Sequence, residues 1–163
     1  RDFRVVSYCQ FIKLISSYLP LLVLMLNSIM DKCDGISFID SSSLEVCKRY
    51  RISMHRVFAG IAARSKTTKG WFYGLKLHLL INQRGGIIKA SFSSGNKDDR
   101  VQLKLMIKGL FGKVFSNRGY ISQELFRKLL EHSIFMVTRV KKNMKNKLMS
   151  LIDKVLLLKR ALI

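Results

Sequence analysis

Apolar residues alternate with other residues along one stretch of the chain, from Phe72 to Asn82. Such alternation is typical of a β-strand, because successive side chains point to opposite faces of a sheet. The predicted strand has one apolar face, formed by Tyr73, Leu75, Leu77, Leu79 and Ile81. Gly85 and Gly86 then predict a turn, and 87–92 predicts a return strand, so this stretch predicts a β-hairpin.

Apolar residues recur at helical spacing in four other stretches. Residues 11–30 predict a helix whose most apolar part, 18–30, is too short to span a membrane and is expected to be buried. Pro20 fits the first turn of a helix. Asp98 and Asp99 open a second helix, Ser122 caps a third that runs to about residue 131, and a fourth covers about 147–158. The inward positions of the second and third helices are Leu103, Met106, Ile107, Leu110, Leu125, Leu129 and Leu130.

Short apolar runs at 36–40, 111–115 and 133–140 predict three further strands. Ser41 to Ser43 predict a break or a helix cap after the first of them, and the basic stretch 49–70 predicts a long loop. Together the elements predict an α/β fold, with a mixed sheet flanked by helices. The strand ends at Asp40 and Asn117 are natural places for a functional site.

Composition narrows the class of protein. The chain has 163 residues, 48% of them hydrophobic, and a single proline, so it has enough apolar material for the core of one or two domains. Its net charge of +20 favours partners with phosphate groups, either nucleic acid or anionic lipid. The three cysteines are widely spaced and odd in number, which favours free thiols in a reducing compartment.

The first residue is Arg1, and the sequence stops within an apolar stretch, so we expect a piece of a longer protein or an interrupted gene.

Four sequence segments together carry a family resemblance. They are Phe38-Ile39-Asp40-Ser41, then Gly70-Trp71-Phe72-Tyr73-Gly74-Leu75-Lys76-Leu77-His78, then Gly95-Asn96-Lys97-Asp98-Asp99-Arg100, and Gly119-Tyr120-Ile121-Ser122. In this order they resemble bacterial insertion-sequence transposases of the DDE class. The resemblance implies a catalytic domain over residues 34–163, incomplete at its C-terminus, preceded by a helical linker segment over residues 1–33.

The resemblance also implies a ribonuclease-H-like fold and a two-metal site. In this class two aspartates and one glutamate hold two Mg²⁺ ions, which activate the attacking oxygen and stabilise the leaving oxygen. Asp40 matches the first aspartate. Asn117 stands where the second is expected, and the glutamate expected after 159–163 lies beyond the sequence. Asp40 and Asn117 are therefore the expected catalytic and metal-binding positions, in a chain expected to be an inactive transposase.

The expected partner is DNA, namely the ends of the insertion sequence and the target. Phosphate contacts are assigned to two basic segments, through Arg64, Lys66, Lys69, Lys141, Lys142, Lys145 and Lys147. The resemblance further implies the cytoplasm of a bacterium, association with the nucleoid, no membrane, and a homo-oligomer in the full-length parent. Two alternatives remain: a basic nucleic-acid-binding protein without chemistry, and a basic membrane-surface protein anchored by residues 11–30.

Other conspicuous residues have ordinary structural interpretations. Asp98 and Asp99 fit the start of a helix, where the dipole favours negative charge. His78 is expected to be exposed or packed near the site. Trp71, Phe72 and Tyr73 are capable of stacking on bases, but we favour core packing for all three.

Overall fold

The structure is a computed structural model that describes residues 6–68, 70–139 and 149–160. The chain divides into two compact units, the first ending at Met30 and the second beginning at Asp31. This division lies three residues before the domain boundary predicted from the sequence.

The first unit contains one helix, α1 (Tyr8–Ile29). It begins at a capping box, in which the Ser7 hydroxyl accepts from the backbone N–H of Gln10 and the Gln10 side chain accepts from the N–H of Ser7. Because this cap starts the helix well before Pro20, the proline lies inside the helix and not in its first turn. The expectation of burial is wrong, since every residue of α1 is exposed. At 22 residues with a mean hydropathy of 1.7, α1 is long and apolar enough to cross a membrane, a criterion that core helices and signal sequences also meet.

Over its described residues, the second unit has a six-stranded sheet and three α-helices. The strands are β1 (Ile36–Glu45), β2 (Ala63–Thr67), β3 (Gly70–Asn82), β4 (Ile87–Ser94), β5 (Gly112–Ser116) and β6 (Ile134–Thr138). The helices are α2 (Asp99–Met106), α3 (Gln123–Glu131) and α4 (Leu151–Lys159), with 3₁₀ helices at Arg49–Met54 and Arg118–Tyr120. The predicted mixed sheet is confirmed: β3 pairs antiparallel with β1, β2 and β4, whereas β1–β5 and β5–β6 are parallel.

Apolar side chains from the two faces of the sheet form two cores. On one face, Leu103 and Met106 of α2 and Leu125 and Leu129 of α3 pack with residues of the sheet; the sheet residues include Ile39, Leu80, Val114 and Ile134. On the other face, Leu156 and Leu157 of α4 pack with Phe38, Ile81 and Phe115. Alternation along the strands produces this division, because neighbours such as Phe38 and Ile39 point to opposite faces.

Three expectations about local structure are wrong. The first strand does not end at Asp40 but continues to Glu45, because the long strand β3 pairs with it as far as Gly74. The stretch predicted as a loop contains β2, which hydrogen-bonds to the first residues of β3. Leu130 is exposed, because the inward stripe of α3 passes through Leu125 and Leu129.

Candidate active site

Asp40 and Asn117 lie side by side on neighbouring strands. The parallel register pairs Phe38 of β1 with Phe115 of β5, so the residues two positions further on are opposite each other. Asn117 follows the last residue of β5 directly, and its Nδ2 donates a hydrogen bond to Oδ1 of Asp40 at 3.2 Å. This hydrogen bond confirms that the two side chains face each other, as the strand positions predict.

Backbone N–H groups also bind one oxygen of each side chain in this pair. Oδ1 of Asp40 accepts from the backbone N–H of Ser41 at 2.9 Å. Oδ1 of Asn117 accepts from the backbone N–H of Gly119 at 2.9 Å, and Asn117 thereby caps the short 3₁₀ helix that follows. The amide of Asn117 therefore donates a hydrogen bond to Asp40 and accepts one from the backbone of Gly119.

The donor set at this position does not fit a pair of divalent ions. Mg²⁺ prefers several oxygen ligands, usually charged ones. The pair supplies one carboxylate and one amide, and the amide turns its nitrogen, not its oxygen, toward the carboxylate. Over the residues that the structure describes, no group of three or more His, Cys, Asp or Glu side chains is placed to hold a metal.

A pocket rich in arginine adjoins Asn117. It has a volume of about 490 Å³, and Arg118, Arg139 and Arg160 contribute to its lining. Arg160 also lines a smaller pocket that contains Asp40, so its side chain reaches both groups of residues. Its Nη1 atom is buried and has no hydrogen-bond partner within the described ranges. Guanidinium groups bind phosphate through paired N–H donors, so this arrangement suits a phosphate beside Asp40.

The sequence did not indicate this arginine pocket, because its members are far apart in the chain. Arg118 follows β5, Arg139 follows β6 and Arg160 follows α4. Neighbouring parallel strands bring their C-terminal ends to the same edge of a sheet. The available sequence signal for this pocket is therefore that a basic residue follows each of two such strands.

Asp99 also lines the pocket beside Asn117, and it belongs to a charged network with Lys76 and Ser41. Its carboxylate accepts hydrogen bonds from Nζ of Lys76 and from the hydroxyl of Ser41, both at 2.9 Å. The side chains of Lys76 and Asp99 are only 18% and 19% exposed, so this ion pair is shielded from water. The helix-start interpretation holds for both residues: Asp98 caps α2 and Asp99 lies in its first turn, from where Asp99 also bonds to the sheet.

Burial shifts the pKa values of two side chains near this network. Burial and the charge of Asp99 raise the pKa of Tyr120 well above its usual value. Burial lowers the pKa of His78, against a smaller opposing effect of Asp99. His78 is completely buried, contrary to one of the expectations, and its Nε2 lies 2.8 Å from the hydroxyl of Ser93. His78 pairs with Ser41 in the β-ladder, so it is on the face opposite Asp40.

The predicted DNA-contacting residues are only partly within the described ranges. Arg64 and Lys66 are exposed on β2. The remaining five lie outside the described residues: Lys69, Lys141, Lys142, Lys145 and Lys147. Among the three aromatic residues expected in the core, Phe72 is buried and Tyr73 is half-buried, but Trp71 is 55% exposed. Core packing is therefore the wrong interpretation for Trp71.

Comparison with known proteins places this geometry in a family. The sequence model of the family described as "Transposase DDE domain" matches residues 30–163, the greater part of the chain, and confirms that the chain belongs to the transposase DDE domain family. No curated protein matches the chain in sequence.

One solved structure supports the fold. A chain of the piggyBac transposase synaptic complex with hairpin DNA matches with a TM-score of 0.52 and 14% sequence identity, which confirms the ribonuclease-H-like fold. That match covers 78% of this chain and 28% of the piggyBac chain, so this chain spans less than a third of that protein. A chain in the structure of the simian T-cell lymphotropic virus intasome matches with a TM-score of 0.40 and 14% identity, over 70% of this chain and 36% of that one.

Proposed function

Because this chain belongs to the transposase DDE domain family, we propose that it binds DNA as a transposase domain but neither cuts nor joins it. The observation that carries the proposal is the hydrogen bond from Asn117 to Asp40. In this family's reaction, carboxylates hold the ions that activate the attacking and leaving oxygens. An amide in the second acidic position removes one negative charge where the family places a metal ligand.

Charge supports the DNA-binding half of the proposal. The chain carries 30 lysine and arginine residues against 10 acidic residues. Three arginines lie at the pocket beside Asn117, and the acidic residue there, Asp99, is already neutralised by Lys76. The net charge around the Asp40–Asn117 pair is therefore positive, which favours a phosphate group.

The proposal also covers the metal ion that the reaction needs, the DNA partners, the oligomeric state and the cellular compartment. The reaction of the family depends on Mg²⁺, and this chain binds Mg²⁺ weakly because Asp40 is the sole carboxylate of the pair. Its DNA partners are the ends of an insertion sequence and a target, it assembles as a homo-oligomer in its parent protein, and it works in the bacterial cytoplasm at the nucleoid. These statements rest on the family resemblance.

One observation favours a second function, a basic protein at a membrane surface. The exposed helix α1 meets the length and hydropathy criteria for a membrane span. Flotation with anionic liposomes in 1 M salt separates the two functions, because the Debye length of about 3 Å removes adsorption through charge alone. The DNA proposal expects the chain to stay at the bottom of the gradient, whereas floating at this salt concentration would support insertion of α1.

DNA binding is tested by fluorescence anisotropy with a labelled duplex across salt concentrations. If six to ten phosphates are contacted, the affinity should fall by about 10³–10⁵ between 50 and 200 mM salt. A flat response would overturn this half of the proposal.

The loss of cleavage is tested with supercoiled plasmid in Mg²⁺ or Mn²⁺. We expect no nicking above that of a buffer with metal alone. The matched control is Asp40→Asn, which removes the remaining carboxylate of the pair. Nicking by the unmodified chain that disappears in Asp40→Asn would show that the site is active, whereas nicking that persists in Asp40→Asn comes from a contaminating nuclease.

A further inference from the structure

A second open pocket lies at the other end of β3 from the Asp40–Asn117 pair. It has a volume of about 500 Å³ and is lined by Arg49, Tyr50, Ile52, Arg64, Trp71 and Phe72. Phe72 and Ile52 supply the buried and half-buried part of the lining. The other four side chains belong to exposed residues, so the pocket presents two exposed aromatic rings and two guanidinium groups beside the buried ring of Phe72.

The two aromatic residues are unusually accessible for their size. Trp71 is 55% exposed and Tyr50 is 66% exposed. Large aromatic side chains normally contribute to a core, where each buries a large apolar surface. In the register between β2 and β3, Trp71 pairs with the exposed Lys66. Two exposed rings with cationic neighbours are characteristic of surfaces that stack on the bases of single strands.

All the charged residues near these rings in the sequence are basic. No acidic residue occurs between Glu45 and Asp98, a stretch that includes every residue of the pocket. The guanidinium of Arg51 lies 5.5 Å from the centre of the Tyr50 ring. Neither Arg49 nor Arg64 forms an ion pair with any residue in the described ranges. Both are therefore available to a phosphate.

Strand geometry relates this pocket to Asp40. Leu79 of β3 pairs with Asp40, and alternation puts Leu79 and Trp71 on the same face of the sheet. Eight residues separate them, so at about 3.3 Å per residue the two positions are at most about 27 Å apart. That distance corresponds to about eight nucleotides at 3.4 Å per nucleotide along a duplex.

We propose that this pocket binds an unpaired nucleotide of a DNA strand, whose base stacks on Trp71 and Tyr50. The flanking phosphates contact Arg49 and Arg64. DNA that reaches from the Asp40 edge to the pocket therefore carries its unpaired nucleotide at most about eight nucleotides from the phosphate at the Asp40 edge. This inference rests on the proposed DNA-binding function and adds a preference for DNA with a single-stranded end.

The single tryptophan of the chain makes the test specific. Trp71 is the only tryptophan, so intrinsic tryptophan fluorescence reports on this pocket alone. The unmodified chain is titrated with a blunt duplex and with the same duplex carrying an eight-nucleotide overhang. Anisotropy of a label on the DNA measures binding in parallel. We expect the overhang to quench Trp71 fluorescence and the blunt duplex to leave it nearly unchanged.

Variants separate stacking from charge. Trp71→Ala should weaken binding of the overhang DNA by about 5- to 140-fold, and Trp71→Phe should retain most of the affinity. The matched control is Phe135→Ala, which removes another exposed aromatic ring, one that does not line this pocket. Replacing both Arg49 and Arg64 by alanine should reduce the salt slope of binding by about 1.4.

The outcomes distinguish this inference from the proposed function. If the duplex binds but the overhang neither quenches Trp71 nor raises the affinity, the pocket inference is wrong and DNA binding stands. If no DNA binds, both are wrong. Because the fluorescence measurement uses the unmodified chain, the inference is tested even if Trp71→Ala fails to fold.

Discussion

The substitution Asn117→Asp tests the role of the amide most directly. It replaces the hydrogen bond to Asp40 with two carboxylates whose nearest oxygens would lie about 3.2 Å apart, the present separation of Nδ2 and Oδ1. Because Asp40 is exposed, the repulsion is close to its value in water, about 1.3 kcal/mol at this distance. Loss of the hydrogen bond adds about 1 kcal/mol. Without metal, we therefore expect the variant to be about 2 kcal/mol less stable.

Thermal unfolding in EDTA measures this loss. At about 2–4 °C per kcal/mol for a chain of this size, the Tm should fall by about 4–8 °C. In 10 mM Mg²⁺ a site with a Kd of about 1 mM would return about 1.4 kcal/mol and most of the lost Tm. The unmodified chain should show no comparable gain in Tm. Its Asn117 is uncharged and hydrogen-bonds to Asp40, so there is no repulsion for a cation to relieve.

The control variant is Gln83→Glu, which makes the same change from amide to carboxylate at an exposed residue in the turn between β3 and β4. It should respond to Mg²⁺ no more than the unmodified chain. The reasoning would be refuted if Mg²⁺ stabilised the unmodified chain as much as Asn117→Asp. Equal stability of the two proteins in EDTA would also contradict it.

Three further predictions follow from the charges of the structure. DNA binding should be at least as tight in EDTA as in Mg²⁺, because added cations compete for the DNA phosphates, and a loss of affinity in EDTA would contradict the assignment of phosphate binding to arginine. Lys76→Met should lower the free energy of unfolding in urea by about 2 kcal/mol, and adding Asp99→Asn should cost little more; fully additive losses would show that the two residues act independently. Because burial lowers the pKa of His78 below 6.5, its contribution to stability is complete above that pH and is lost as the pH falls below it. The slope should be at most about 1.4 kcal/mol per pH unit and should disappear in His78→Gln but not in the exposed-site control His132→Gln.

The sequence predicted the elements whose local pattern is strong. The hairpin of β3 and β4 follows from alternation and a glycine turn, and both Asp98 and Ser122 cap the helices expected of them. The contact between Asp40 and Asn117 was predictable because both lie just beyond the paired residues of two neighbouring parallel strands, although β1 itself continues past Asp40 to Glu45. These features depend on local sequence and on the rule that neighbouring parallel strands lead to the same edge of a sheet.

The parts that were missed depend on pairing with distant residues. β2 has basic side chains at Arg64 and Lys66 and little apolar alternation, so only its backbone pairing with β3 reveals it as a strand. The exposure of Trp71 is decided by which side of β3 receives a packed layer at that end of the strand. Arg160 reaches the pocket beside Asn117 through the docking of α4 on the sheet, and no local pattern contains that information.

The Asp40–Asn117 contact explains how the family's fold persists without the family's full set of carboxylates. Two carboxylates at this separation would repel each other, and their mutual repulsion is what makes such a site dependent on a cation. The amide of Asn117 donates an N–H to Asp40 and accepts one from Gly119, so it bonds to Asp40 where a second carboxylate would repel it. The arginines around the neighbouring pocket are unaffected by this exchange, because their positive charge does not come from a bound metal. We therefore expect DNA affinity and catalysis to be separable in this domain, because the proposed DNA contacts use arginine side chains whereas catalysis would need a negative charge that Asn117 lacks.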